Sequence, residues 1–285
     1  MIPQAFEYVS PATLEEALEL AGGDGVKLLA GGMSLVPLIK LRLATPSVVV
    51  DLGRINGLRY IREEGGRIRI GAMTTHWEIE SSPLLRTKCP LLAETAATIG
   101  DVQVRNLGTI GGSIVHADPA ADYPAALCAL EARVRLRSRS GERTVGISDF
   151  LVDVFTTAIE PGEILTEVEV PVEEARAGVS YQKMAHPASG FAVVGAAVRL
   201  RRANGKLAWV RAGITGLGPK AFRAVAVEER LDGVAVDAEE IRKAVAGVSE
   251  GVEANSDLYA SADYRRQMAA VYLARAVAAA LERAR

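Results

Sequence analysis

Two glycine pairs limit what this chain can build. Gly31 and Gly32 stand in Leu28-Leu29-Ala30-Gly31-Gly32-Met33-Ser34-Leu35-Val36, and Gly111 and Gly112 stand in Thr109-Ile110-Gly111-Gly112-Ser113. Each pair follows an apolar or β-branched stretch, and a hydroxyl residue comes at once or one residue later. A backbone without Cβ can approach an anionic ligand closely, and adjacent free N–H groups can point at phosphate oxygens. One such loop is an ordinary turn, as Gly22-Gly23 and Gly65-Gly66 read here. Two could converge on the two phosphates of one dinucleotide, and the pattern alone leaves both readings open. No Gly-x-Gly-x-x-Gly opens a helix after a strand, Gly213-Ile214-Thr215-Gly216-Leu217-Gly218 has the wrong spacing, and there is no P-loop. A nucleotide bound here is therefore expected in loops between domains.

Composition narrows the class. A chain of 285 residues, 49% apolar and 24% charged, suits a globular protein of one large or several small domains. A net charge of −2 gives no general footprint for nucleic acid or anionic membrane. The opening stretch, Met1 to Tyr8, has neither a basic nor an apolar signal region, so no secretory leader is expected. No apolar stretch is long enough to span a bilayer; the alanine-rich end is broken by Arg275 and Glu282. Cys89 and Cys128 are far apart and too few for an iron–sulfur cluster, and His76, His116 and His186 lack zinc-site spacing. No metal site and no catalytic residue is expected, and a reducing cytoplasmic compartment fits.

Ser10 and Pro11 read as the start of a helix that carries Leu14, Ala17, Leu18 and Ala21 and stops at Gly22-Gly23. Val26–Ala30 reads as a strand into the first glycine loop, Leu35–Leu43 as a short helix and Ser47–Asp51 as a buried strand, together a β-α-β unit ending near Asn56. Leu58–Ile61 and Arg67–Ile70 read as a hairpin, Thr75–Ser81, Leu91–Ile99 and Ala120–Leu130 as helices, and Arg133–Arg139 and Ile164–Val170 as strands. Ser180–Ala185, Phe191–Arg201 and Lys206–Gly213 form an expected meander with Asn204-Gly205 at one turn, followed by helices over Ala238–Val248 and Ala262–Arg283.

These residues resemble a known family. Ala30-Gly31-Gly32-x-Ser34-Leu35 followed by Lys40-Leu41-Arg42, Ile70-Gly71-Ala72-x-Thr74-Thr75, Gln103-Val104-Arg105-Asn106-x-Gly108-Thr109-Ile110-Gly111-Gly112 and Asp118-Pro119-Ala120-Ala121-Asp122 are similar to motifs of the FAD-binding medium subunits of molybdenum hydroxylases, the xanthine dehydrogenase and aerobic carbon monoxide dehydrogenase family. The likeness covers nearly the whole chain, and Tyr181-Gln182-Lys183 opens what resembles the family's C-terminal domain. It implies an α+β fold: a two-subdomain FAD-binding (PCMH-type) domain over 1–174, divided into about 1–56 and 57–174, then a C-terminal domain over 175–285 of a three-stranded antiparallel sheet with a helical bundle.

The resemblance also implies a site. Leu29, Ala30, Gly31, Gly32, Met33, Ser34, Leu35 and Val36 would wrap the pyrophosphate and ribityl chain of a non-covalent FAD. Thr109, Ile110, Gly111, Gly112 and Ser113 would close on the same phosphates. Ile99 would pack against the cofactor, Asp122 would accept from a sugar or adenine-side donor, Ile164 or Leu165 would offer backbone to the adenine, and Lys183 would reach the isoalloxazine or phosphate side. Without the resemblance, Asp122 reads equally as a helix cap, Lys183 as a solvated strand residue and Ile99 as core. Met33 stands where the family more often has Gln or His, and Ser113 where Asn is usual. No residue near the two pairs is suited to covalent attachment, although His116 lies close to the second.

What the family implies for function is an electron-transfer role. A large molybdopterin-binding subunit would oxidise substrate, a small subunit would relay electrons through [2Fe–2S] clusters, and this chain would pass them from FAD to a quinone, oxygen or NAD. A dimer of heterotrimers is expected, cytoplasmic or held at a membrane only through the complex. Two rivals remain open at this point: a stand-alone flavin oxidase or reductase, for which Tyr181 and His186 are weak proton donors, and an FAD-bound scaffold that turns nothing over.

Overall fold

The computed structural model describes residues 2–284. The first subdomain is β1 (Glu7–Val9), α1 (Leu14–Leu20), β2 (Val26–Leu29), α2 (Leu35–Lys40) and β3 (Val48–Asp51), a parallel sheet in the order β1-β3-β2. The β-α-β unit is as expected, with β1 added at its edge. The helix starts at Leu14 instead of after Ser10: Thr13 accepts from Glu16 N–H, and Glu16 returns to Ala12 N–H at 2.8 Å. A hydroxyl three residues before a glutamate outweighs Ser10-Pro11 as a start signal. Ala17 and Leu18 pack with Val50, Leu52, Ile55, Leu58 and Ile164.

The second subdomain holds β4 (Ile61–Glu64), β5 (Arg67–Gly71), α3 (His76–Ser81), α4 (Pro83–Lys88), α5 (Pro90–Ala97), α6 (Val102–Leu107), α7 (Ile110–His116), α8 (Asp122–Ala129), β6 (Arg133–Ser138), β7 (Gly141–Gly146), α9 (Ile147–Phe150), the small hairpin β8 (Leu151–Asp153) and β9 (Thr156–Thr157), and β10 (Ile164–Pro171). Its antiparallel sheet runs β4-β5-β10-β6-β7. Period-2 alternation buries Ile68, Ile70, Val134, Leu136, Val168 and Val170 against Leu91, Leu92, Ile110, Ile114 and Leu127. The opposite face is laddered with charge, Glu167 and Glu169 lying between Arg69 and Arg135. The first hairpin strand begins at Ile61 and not at Leu58, because Leu58 turns inward in a 3₁₀ turn and is buried in the first subdomain's core.

The third unit is the antiparallel meander β11 (Gly178–Ala185), β12 (Ala192–Ala203) and β13 (Lys206–Thr215), with the two-residue β14 (Phe222–Arg223) added at the edge, then α10 (Val225–Leu231), α11 (Ala238–Val245) and α12 (Ala262–Arg283). Asn204 and Gly205 both take positive φ, 52° and 72°, as a two-residue hairpin turn demands. The sheet is buried on both faces. Val194, Ala196 and Val198 pack with Leu273, Ala276 and Val277 of α12, while Val179, Tyr181 and Ala197 join the core of the second subdomain. A Cβ on Gly213 would lie 2.0 Å from Ala125 O of α8, so the two domains meet backbone to backbone there. Among the described residues, no helix is long and apolar enough to cross a membrane.

Candidate functional site

The first glycine motif is an open row of donors. The chain leaves β2 at Leu29, takes positive φ at Gly32 (74°) and enters α2. Gly32 O and Ser34 O accept from Val36 and Leu38 N–H. Among the described residues, the N–H groups of Gly31, Gly32, Met33, Ser34 and Leu35 meet no protein acceptor, and Ser34 forms no side-chain cap bond. Successive N–H groups around a turn of this kind make a concavity suited to an anion.

The second motif is built differently. Thr109 to Ser113, expected as a loop, is the cap and first turn of α7. Its N–H groups are engaged: Ile110 donates to Thr74 O at 3.0 Å, Gly111 to Ala72 O at 2.9 Å, Gly112 to Thr109 Oγ1 at 3.1 Å and Ser113 to Thr109 O at 3.0 Å. The motif therefore offers a wall and the hydroxyls of Thr109 and Ser113 in place of the free N–H groups expected. Its glycines serve packing. A Cβ on Gly111 would lie 2.7 Å from Ala72 O. The stretch Ala72–His76 is a strap over this turn, completed by His76 N–H to Gly108 O at 2.9 Å.

The two motifs touch, as their likeness suggested. A Cβ on Gly31 would stand 2.0 Å from Leu107 O and 2.7 Å from Gly108 Cα, and one on Gly112 would be 3.4 Å from Ala30 Cβ. Met33, Val36, Val102 and Leu107 are exposed apolar side chains on the segments that meet there.

The strap ends at His76, 4% exposed, edge-on to Tyr123 at 5.2 Å between ring centroids. Burial, with the Arg105 charge beside it, pushes its imidazole down to about 4. The unfolded chain binds the proton near 6.5, the folded one only near 4, so the contribution is complete above 6.5 and is lost as pH falls towards 4. Between pH 7 and 4.5, His76 is expected to cost about 2–3 kcal/mol of stability. Urea midpoints across that range should converge for the parent and His76→Leu on acidification; parallel curves would show that His76 does not titrate in the fold.

Asp122 is the first residue of α8 and caps nothing. Its carboxylate accepts from Tyr181 Oη at 2.5 Å and Lys183 Nζ at 3.1 Å, with the side chains of Asp122 and Lys183 only 5% and 8% exposed. Burial pushes this carboxyl up, against the lowering effect of Lys183 and Tyr181. Lys183 also donates to Thr98 O and Gly190 O, each at 2.7 Å. All three of its donors thus meet protein; Lys183 ties the turns at 98–100 and 186–191 to α8. Tyr181 is buried, pushed well above its ordinary value and hydrogen-bonded to Asp122, and His186 Nδ1 accepts from Ala188 and Ser189 N–H. The Tyr181 proton is committed to Asp122, while His186 leaves its Nε2–H without a partner among the described residues.

Ile99 is half-buried against the main core beside that clasp, and its carbonyl accepts from Arg105. Ile164 and Leu165 bury their side chains, but their backbone is paired on one side only, to β6, because β5 joins β10 at Glu167. Thr98 and Gly190, whose carbonyls Lys183 binds, were not singled out in the sequence, and Ala72, Thr74 and Thr75 were named only as a motif, without their strap. The alternation that sends Tyr181 and Lys183 to one face of β11 was the available signal that both reach Asp122.

Two subdomains with a donor row at their seam, beside a separate sheet-and-helix domain, have the architecture of a cofactor-binding protein suited to an anionic ligand. Residues 4–173 match the family described as the FAD binding domain in molybdopterin dehydrogenase, and residues 179–280 match the CO dehydrogenase flavoprotein C-terminal domain. The chain belongs to the FAD-binding medium subunits of the molybdenum hydroxylase family, a family of oxidoreductase flavoproteins, and FAD is its cofactor. The carbon monoxide dehydrogenase medium chain of Hydrogenophaga pseudoflava is 40% identical over 285 residues, covering 99% of each chain. The glyceraldehyde dehydrogenase medium chain of Sulfolobus acidocaldarius is 38% identical, covering 95% of this chain and 96% of its own. Among solved structures, carbon monoxide dehydrogenase from H. pseudoflava superposes with a TM-score of 0.97 at 41% identity over 100% of both chains. Quinoline 2-oxidoreductase from Pseudomonas putida 86 does so at 0.95 and 32%, over 100% of this chain and 99% of that one.

Proposed function

We propose that this chain is the electron-transfer subunit of a molybdenum-containing hydroxylase or dehydrogenase. A large molybdopterin-binding subunit oxidises substrate, a small [2Fe–2S] subunit delivers the electrons, and this chain passes them to an external acceptor. The assembly is a cytoplasmic dimer of heterotrimers. The reading rests first on the row of unpaired N–H groups at Gly31–Leu35, seated against the second glycine motif. Relatives named as medium chains or subunits of two dehydrogenases and a hydroxylase support it.

FAD, bound without a covalent link, supplies the redox chemistry, exchanging electrons singly or in pairs. The protein's residues bind and orient it. Gly31–Leu35 would donate to the pyrophosphate, within the wrap of Leu29–Val36. Thr109 and Ser113 would add hydroxyls and Gly111-Gly112 a close wall. Ile99 would pack against the cofactor, Ile164 or Leu165 would offer backbone to the adenine, and the Asp122–Lys183 pair would hold the turns at 98–100 and 186–191. Tyr181, one proton-donor candidate of an oxidase, already gives its proton to Asp122 in the core, which favours the electron-transfer reading over a stand-alone oxidase.

Co-expression with the two partner subunits tests the reading. FAD in the complex should bleach on addition of the complex's substrate, FAD in the isolated chain should not, and acid precipitation should leave yellow supernatant and a colourless pellet. Direct reduction of the lone chain by an organic substrate would establish the oxidase instead, and a yellow pellet would establish covalent attachment.

A further inference from the structure

The wall against which the donor row sits is carried by a helix with no share in the core. α6 is six residues long and buries no side chain, whereas α3, α5 and α7 around it bury Ile79, Leu91 and Ile110. Six residues are too few to hold a helix by propensity, so without burial α6 depends on its ties. Its outer side chains, Val102, Gln103, Asn106 and Leu107, are already exposed, and opening it outward would uncover little further apolar surface.

Most of its side-chain bonds are local. Asp101 caps the helix by accepting from Val104 N–H at 2.9 Å, and Asn106 bonds back to Val102 O at the same distance. Among the described residues, Arg105 is the side chain of α6 that reaches beyond the helix. Its Nε donates to Glu80 Oε2 of α3 at 2.8 Å, and its Nη1 donates to Ile99 O and Gly100 O at 3.2 and 3.3 Å. One planar fork thus joins α6 to a neighbouring helix and to the turn before it. Glu80 stands one turn along α3 from His76, on the same face, and His76 N–H holds Gly108 O at the end of α6. α3 is a firm base, with Thr75 and Glu78 in a capping box and Ile79 fully buried. The end of α6 held in this way is the end that meets the first glycine motif. Leu107 O and Gly108 Cα lie directly against Gly31, at the head of the donor row.

We propose that Arg105 is a positioning residue for FAD: it pins α6 as a latch beside the donor row, and release of that latch opens the cradle for the cofactor to enter and leave. The inference rests on the reading that Gly31–Leu35 hold the pyrophosphate. Coupling of this kind is reciprocal, so bound FAD must in turn hold α6 closed. The test uses the FAD-loaded full chain as parent, Arg105→Met, Arg105→Lys and Glu80→Gln. Amide hydrogen exchange over 102–108 should be slowed by FAD in the parent and faster in Arg105→Met, with no change over 91–97 of α5. Release of FAD on dilution, read by the fluorescence of the free flavin, should be about tenfold faster in Arg105→Met. Arg105→Lys, which keeps the charge beside Glu80 and loses the fork, should fall between the two. An ion pair that only stabilises the fold would lower the urea midpoint and leave FAD release from the folded chain unchanged. That result overturns the proposal, as does exchange over 102–108 that neither FAD nor Arg105→Met alters. Should Arg105→Met not fold, Glu80→Gln should speed release several-fold, and unchanged release there is equally decisive against the latch. Gly31→Val separates the two readings: FAD retained in that chain removes the cradle itself, whereas FAD lost there, with release unaltered in Arg105→Met, removes the latch alone.

Discussion

Gly31→Val should purify without FAD. A Cβ at this position would lie 2.0 Å from Leu107 O and 2.7 Å from Gly108 Cα. Both are backbone atoms, so no rotamer change relieves the overlap. The two glycine motifs must separate by at least about 1 Å to regain ordinary contact. That shift turns the N–H groups of Gly31–Leu35 away from the wall they share with Thr109 and Ser113. We expect a loss of FAD affinity on the order of 100-fold or more. Gly32→Ala is the graded comparison. Gly32 has φ of 74°, and its Cβ would meet Val36 Cγ2 at 3.0 Å, a side chain that can turn. Left-handed strain of about 1–2 kcal/mol, which binding must restore after the loop relaxes, corresponds to roughly tenfold weaker FAD. The readouts are the flavin-to-protein absorbance ratio and a titration of the stripped chain with FAD, with circular dichroism to confirm the fold. Gly111→Val is a poorer test, because its Cβ strikes the Ala72 backbone and breaks the strap itself. A Gly31→Val chain that retains stoichiometric FAD would remove the first motif from the cradle.

The path from sequence to site was legible where local chemistry decides structure. The 22-residue α12 covers the range Ala262–Arg283 expected of it, and Asn204-Gly205 marks its hairpin correctly. Other elements were hidden for identifiable reasons. The three residues of β1 have no alternation to show and exist only by pairing with β3 some 40 residues on. The first turn of α7 contains Gly111 and Gly112, poor helix formers, yet Thr109 caps it and Ile110 and Ile114 are fully buried. Tertiary packing overrides propensity there. The same holds for the site. That the two motifs meet was one of two readings the glycine pattern left open, and the family resemblance favoured it. Which of them keeps free N–H groups could not, because Ala72 and Thr74 take the donors of the second from a strand end far back in the chain. The charge of Lys183 was plain, but its target depends on Asp122, Thr98 and Gly190, three segments that only the fold assembles.

Lys183→Met should destabilise the chain by about 3–5 kcal/mol, the usual cost of breaking a buried ion pair from one side. The substitution leaves the Asp122 carboxylate buried with Tyr181 as its one remaining donor, and it strips Thr98 O and Gly190 O of theirs. Methionine fills the space of the stem, so packing loss is small and the effect is electrostatic. Asp122 has an escape, since burial already pushes its carboxyl up and loss of the lysine removes a lowering influence. Its folded-state value then lies above that of the unfolded chain, so the penalty is fully present at neutral pH and shrinks as pH falls and the carboxyl protonates. Adding Asp122→Asn removes the buried charge at every pH and should recover more than half of the lost stability, leaving the two carbonyls as the remainder. Urea titrations of the four chains in the cycle measure this coupling. The same four chains decide what Lys183 does for FAD. If it acts by holding the turns at 98–100 and 186–191, the double variant regains FAD affinity along with stability. If its ammonium touches the cofactor, affinity stays low in every chain that lacks Lys183, however stable the fold. The three protein acceptors within hydrogen-bond distance of its nitrogen favour the first outcome.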